Sequence, residues 1–361
     1  MHYVLKSQSE YALSESVLKN YGCTKLSNYF EIHTNGNISL CCYTWLPVFC
    51  GNILENSPEE ILNNTKRLKL IDDMSKGEYT ECNDHCPYIS ATLNGSRYPS
   101  EWVVPINSFN QEKNIKPYVI GLSYDTSCNL QCPSCRNSLQ FFQLDENKKL
   151  SEIHEKTKQF IDFLLAKGIS LIIVISGSSD PFAGPTFWNY LKELSLNPES
   201  DIRLQLITNG TLMTQTKLLE IKPLLPKITQ ITLSIDAADE TTYKIVRKNG
   251  SFRKLEENVK NLNDLISNGF LPNLRVLVST FVVQKRNFRE MKEFILWQLC
   301  YNNIHKIYFS AVAQWGHIND IDFQLNFCLN EEEKIELKEI LKDPIFSHPK
   351  VMLGNVLSLI K

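Results

Sequence analysis

Tyr118-Val-Ile-Gly-Leu-Ser-Tyr124, followed after three residues by Cys128-Asn-Leu-Gln-Cys132-Pro-Ser-Cys135, is the stretch on which fold and chemistry turn. Its first part is short, mostly apolar and partly β-branched, as a buried strand requires. The cysteines that follow have the spacing C-x3-C-x2-C. Three thiolates so close together can hold three irons of a [4Fe–4S] cube and leave one iron open. An open metal position is a site of chemistry, whereas a closed one is structural. The competing reading is a zinc knuckle. Zinc takes four protein ligands, usually in C-x2–4-C pairs, and here three cysteines cluster. No fourth Cys or His follows within about fifty residues except His154, which falls on a helical pattern.

Outward from this stretch, toward the C-terminus, strand-like and helix-like segments alternate. Strands are expected over 118–124, 170–176, 202–208, 228–236, 273–283 and 306–311. Apolar residues at helical spacing mark helices over 151–167, 252–268 and 287–299. Such a succession of βα units argues for a parallel sheet with right-handed crossovers. Six units are too few to close an eight-stranded barrel, so the expected fold is α/β, a partial (β/α)6 barrel. In parallel α/β folds the site lies at the carboxyl ends of the strands. The cysteine triad stands just after the first of them.

Toward the N-terminus the pattern changes to a small Cys-rich hairpin-plus-helix module. Residues 29–40 read as a hairpin around an Asn35-Gly36 turn. Ser57 as N-cap, Pro58 at the first helical position and Glu60 completing a capping box open a helix that runs to about Ser75. Cys82-x3-Cys86 follows it. The expected organisation is a module over 1–100, a linker over 101–117, the partial barrel over 118–315, and a C-terminal helix (331–341) and extended tail within 316–361.

The bulk numbers exclude several classes of function. A net charge of −2 gives no electrostatic case for nucleic acid or an anionic membrane surface. No apolar run approaches the ~20 residues of a membrane span, and no signal-peptide pattern opens the sequence, so a soluble cytoplasmic protein is expected. Eleven cysteines are many for a reducing compartment. Five of them lie between Cys41 and Cys86, which favours metal or cluster ligation over a disulfide framework. Cys300 and Cys328 read as ordinary small apolar residues.

The triad and its surroundings resemble the radical S-adenosylmethionine (SAM) superfamily over most of residues 118–315. In that family the open iron chelates the amino and carboxylate groups of SAM. One electron then yields methionine and a 5′-deoxyadenosyl radical. The resemblance assigns Cys128, Cys132 and Cys135 to the SAM-binding [4Fe–4S] cluster. Ser176-Gly-Ser178-Ser179-Asp180-Pro stands where the family carries a Gly-Gly-Glu-Pro turn that binds the SAM amino group. Thr208-Asn-Gly is similar to a family motif at the third strand's end. Ser234 matches a residue that contacts SAM. Arg247 matches one that pairs with its carboxylate, a task suited to a bidentate guanidinium. Ser134 departs from an aromatic often found before the third cysteine.

The N-terminal module looks like a SPASM or twitch module, which holds an auxiliary [4Fe–4S] cluster. It stands ahead of the barrel, whereas family members usually carry it after. The resemblance implies Cys42, Cys50, Cys82 and Cys86 as its ligands, with Cys41 as the alternative to Cys42. A four-cysteine zinc site satisfies the same spacing. His85 reads as a surface or supporting residue. Trp315 and His317 are candidate substrate contacts, and Cys328 is a looser candidate for a hydrogen donor.

The implied function is hydrogen abstraction from a substrate carbon in peptide or protein modification, such as crosslinking, epimerisation or oxidation. The alternative is dehydrogenation or another modification of a sugar or small molecule. A low-potential donor such as flavodoxin or ferredoxin is the implied partner. A non-catalytic iron–sulfur scaffold or electron carrier is the reading of another class. It would use the cysteines but have no need of the Ser178–Asp180 turn, Ser234 or Arg247.

Overall fold

The computed structural model describes residues 17–83, 86, 88–89, 102–112, 117–175, 177–314, 316 and 318–360. Ser176, His85, Trp315 and His317, all singled out above, lie outside the described residues. The chain divides into two compact units. The first takes the described residues up to Tyr124 together with Lys149–Ile172, and the second takes Asp125–Lys148 and Ile173 onward.

In the first unit the short strand β1 (Tyr21–Cys23) pairs antiparallel with β5 (Val103–Pro105). Helix α1 (Lys25–Asn28) leads into β2 (Tyr29–His33), which turns back into β3 (Asn37–Ser39) and then β4 (Phe49–Asn52) as an antiparallel meander. The turn needs Gly36 at φ +85, where Asn52 stands too close to admit a Cβ. The Asn52 side chain closes the corner by donating to Asn37 Oδ1 at 2.8 Å and accepting from Leu54 N at 2.9 Å. On its other side β2 runs parallel to β6 (Tyr118–Ser123), Tyr29 facing Val119 and His33 facing Ser123. The core lies between this sheet and α5 (Lys148–Ala166), where Phe30 meets Phe160 edge-on at 5.5 Å.

Three stretches differ from expectation. The helix opened by Ser57 stops after α2 (Pro58–Leu62) and restarts as α3 (Thr65–Ser75). Asn64 is the cause: its side chain accepts from the backbone N–H of Lys66 and Arg67, both at 3.1 Å, and so caps a new helix. Residues 103–112, expected as linker, form β5 and α4 (Ile106–Glu112). The expected extended tail holds two 3-10 turns, over Pro344–Ser347 and Gly354–Ile360, on either side of β12 (Val351–Met352).

Strand β7 (Leu171–Ile175) begins in the first unit and ends in the second, and the second unit carries β8 (Ile202–Thr208), β9 (Ile228–Ser234), β10 (Val276–Val283), β11 (Lys306–Ala311) and β12 in chain order, each of β9 to β12 next to the one before it. The pairs from β8 to β12 are parallel. Helices α6 (Pro185–Leu196), α7 (Gln215–Glu220), α8 (Glu240–Val246), α9 (Phe252–Ser267), α10 (Met291–Leu299), α11 (Asp320–Phe327) and α12 (Glu331–Ile340) punctuate them. Along α9, Leu255, Val259 and Leu262 make the buried stripe, and Ser251 caps its start. This is an α/β architecture of the expected kind, and it places the loops after β8 and β9 together at one end of the parallel strands. Among the described residues no helix is long and apolar enough to cross a membrane.

Candidate functional site

The cysteine triad lies in the second unit on an irregular loop. Cys128 bridges Gln140 through backbone bonds, and a turn closes between Cys132 and Cys135. Cys128 and Cys132 are buried and Cys135 is exposed. Each sulfur faces an N–H donor from a different place. Asn209 Nδ2 approaches Cys128 Sγ at 3.8 Å, Arg247 Nη1 approaches Cys132 Sγ at 3.6 Å, and Arg136 Nη2 approaches Cys135 Sγ at 3.8 Å. Arg136 also donates to the carbonyls of Thr126 and Ser178, both at 2.7 Å, and so ties the loop to the turn after β7. Burial pushes the Cys128 thiol up to about 11, with Asp180 adding to the rise. Burial raises Cys132 too, and the neighbouring Arg247 opposes it.

Asn209 and its neighbours fix the loop onto the end of β8. Asn209 Nδ2 also donates to Asn129 Oδ1 at 2.9 Å, and Asn129 in turn donates to Thr211 Oγ1 at 2.8 Å. Gly210 sits at φ +78 with Leu255 2.7 Å from where its Cβ would be. The Thr-Asn-Gly sequence therefore serves as a bracket for the cysteine loop.

The residues expected to contact SAM lie in the same unit. Asp180 is fully buried and committed. Its carboxylate accepts from Thr208 Oγ1 at 2.7 Å, Asn209 N at 2.8 Å and Phe182 N at 3.0 Å. It thereby locks the turn after β7 to the end of β8. Ser178 and Ser179 are half-buried on that turn, and Ser234 ends β9 opposite Thr280. Arg247, just past α8, pairs with Asp236 at 2.7 Å, and both side chains are nearly buried. Asp236 stands at φ +66 and also accepts from Val282 N at 2.8 Å. Among the described residues the buried Arg247 Nε has no partner, and neither has the buried Tyr243 hydroxyl. A buried guanidinium N–H without an acceptor is costly, and a bound acceptor would satisfy it. A SAM carboxylate is such a group, and the residues fit it.

In the first unit a second group of cysteines lines one pocket. Cys23, Cys41, Cys82 and Cys86 share it with Lys25, Trp45, Tyr79 and Tyr88. Cys42 adjoins the pocket through Cys41 without lining it. Cys50, on β4, is buried elsewhere, near Lys66 and Arg67. Burial pushes Cys41 up to about 12 and Cys50 up to about 11, and raises Cys82 and Cys86 as well. The Tyr79 hydroxyl at the pocket is buried without a partner among the described residues. Four cysteines around one apolar pocket are a donor set for a cluster or a tetrahedral metal. Among the described residues no three Cys, His, Asp or Glu side chains converge in ligating geometry. Cys23 was missed in the sequence because it stands alone, eighteen residues before Cys41. The pairing of β1 with β5 carries it to the pocket. Cys300 is exposed, so it is not a core residue.

The sequence pattern of the radical SAM superfamily matches residues 124–297, and that of an iron–sulfur cluster-binding domain, SPASM, matches residues 23–87. The second match begins on Cys23. No curated protein is similar enough to match the chain. Among solved structures, the chain is similar to a radical S-adenosylmethionine methyltransferase, TsrM, from Kitasatospora setae, determined with cobalamin and a [4Fe-4S] cluster bound. Identity is 12%, the TM-score is 0.42, and the match covers 72% of this chain. It spans 58% of the length of that structure's chain.

Proposed function

The chain belongs to the radical SAM superfamily, with a SPASM-type cluster-binding domain ahead of the catalytic region, and on that premise we propose that this enzyme abstracts hydrogen from a carbon of a peptide or protein. When bound, the cluster supplies the electron that cleaves SAM to methionine and a 5′-deoxyadenosyl radical. The protein supplies position and exclusion of water. Cys128, Cys132 and Cys135 hold the cluster, and Asn209, Arg247 and Arg136 donate to their sulfurs. The turn of Ser178 and Ser179, kept in place by Asp180, faces the SAM amino group. Ser234 would contact SAM, and the Arg247 guanidinium would pair with its carboxylate.

The single observation that carries this reading is the set of three sulfurs, two met by N–H donors from distant segments, Asn209 and Arg247, and the third by the adjacent Arg136. A scaffold or carrier has no use for the buried Asp236–Arg247 pair with its unfilled Nε. SPASM-bearing relatives mostly act on peptides, which supports the substrate class. An external flavodoxin or ferredoxin in the cytoplasm is the matching electron source. The corresponding division of labour is a cluster-binding module over 1–100 and a barrel over 118–315, joined through 101–117, where β5 and α4 stand in place of the expected linker, and followed by a terminal segment over 316–361.

For the auxiliary cluster, the shared pocket supports Cys23, Cys41, Cys82 and Cys86 as ligands, with Cys41 in the place of its alternative Cys42 and Cys23 in the place of the Cys50 that the resemblance implies. Anaerobic reconstitution with iron, sulfide, SAM and dithionite tests the catalytic reading. Release of 5′-deoxyadenosine is expected, and its absence from a fully iron-loaded protein refutes the proposal.

A further inference from the structure

Lys25 is 6% exposed and sits inside the cysteine pocket of the first unit. Its ammonium lies 4.3 Å from the Tyr29 ring centre, 5.0 Å from Tyr88 and 5.5 Å from Trp102. Among the described residues no carboxylate pairs with it. Aromatic faces attract a cation, but they carry no net charge. A buried ammonium without an anion is unfavourable and calls for a compensating negative charge. The groups that share its pocket are Cys23, Cys41, Cys82 and Cys86. As neutral thiols they carry no charge. As ligands of a [4Fe–4S] core they carry one each, and the loaded site becomes a net anion.

We infer that Lys25 is the built-in counter-charge of the auxiliary cluster: it holds the loaded site in place and raises its reduction potential. The inference rests on the auxiliary cluster proposed above. Adding an electron makes the cluster more negative, so a fixed cation alongside favours the reduced form. Beside three aromatic rings and 6% exposed, the ammonium is little screened by solvent. Lys25 is thus a tuning residue, acting on the cluster through charge and not on the substrate.

The test uses the full chain with Cys128, Cys132 and Cys135 each replaced by Ala, so that the only cluster left is the auxiliary one. Iron and zinc are counted, and the midpoint potential is followed by electron paramagnetic resonance during redox titration. Lys25→Met and Lys25→Gln remove the charge, and Lys25→Arg keeps it. The expected result is a potential lower by at least a tenfold change in the reduction equilibrium, 59 mV for one electron, in Lys25→Met and Lys25→Gln but not in Lys25→Arg. Loss of iron from the two neutral variants with retention in Lys25→Arg supports the same role. An unchanged potential in an iron-loaded neutral variant overturns it, as does loss of iron from all three. If the parent holds zinc or no iron while Lys25 is intact, it is the auxiliary-cluster reading itself that fails.

Discussion

Replacing Asp236 by Asn isolates the charge of the buried pair beneath the cysteine loop. The change keeps size and shape, and Asn tolerates the left-handed backbone that Asp236 adopts at φ +66. What it removes is one of two acceptors. Asp236 now serves Arg247 with one oxygen, at 2.7 Å, and the Val282 N–H with the other, at 2.8 Å. An Asn amide in either orientation sets an N–H against an N–H. It also leaves the guanidinium buried, with Nε already lacking a partner. Breaking a buried pair from one side costs about 3–5 kcal/mol. At 1.4 kcal/mol for each factor of ten, amide exchange in β9 and β10 accelerates by about two to three and a half orders of magnitude. Hydrogen exchange on peptides from these strands, in the metal-free protein, reads the effect. Pairing the change with Arg247→Met removes both charges, and the double variant is expected to fall short of the sum of the singles by about 1–3 kcal/mol. Wild-type protection in the Asn variant, or simple additivity in the cycle, refutes the reasoning.

Three other outcomes follow from the geometry. Gly210→Ala places a Cβ 2.7 Å from Leu255 at a φ of +78, and is expected to destabilise the second unit by about 1–2 kcal/mol in the same exchange measurement. Cys23→Ala is expected to abolish iron at the auxiliary site, whereas Cys50→Ala leaves the iron count of the reconstituted protein unchanged; the opposite pattern restores the ligand set expected from spacing. Alkylation of the metal-free protein, mapped by mass spectrometry, is expected to be slow at Cys128 and Cys41 near neutral pH. Because burial raises both thiols, to about 11 and about 12, the reactive thiolate gains population only as pH climbs toward those values, so labelling of Cys128 rises at lower pH than that of Cys41.

Much of the second unit was legible because its strands are bounded by residues with local signals. Thr208-Asn-Gly marks the end of β8 through a glycine that must take positive φ, and the spacing of Cys128, Cys132 and Cys135 carries its chemistry in eight residues. What could not be read locally depends on distant partners. Asp180 looks like a ligand in the sequence and is a bracket in the fold, because Thr208 and Asn209 claim its oxygens. Asn64 breaks a helix whose apolar spacing runs through it, since its side chain competes for the backbone donors that follow. Cys23 has no neighbouring cysteine to betray it, and only the long-range pairing of β1 with β5 shows where it stands. Nothing in the sequence next to Lys25 signals the three aromatic rings that its ammonium meets in the fold.

The donors to the three sulfurs also set a schedule for biosynthesis. Arg136 follows Cys135 at once, but Asn209 is 81 residues beyond Cys128 and Arg247 is 115 beyond Cys132. A ribosome adds about 5–20 residues per second, so Arg247 is made about 6–23 s after the thiol it faces. During that interval the cysteines are already translated, without the brackets that hold their loop. The cysteine loop therefore gains its full set of brackets only once synthesis has passed Arg247.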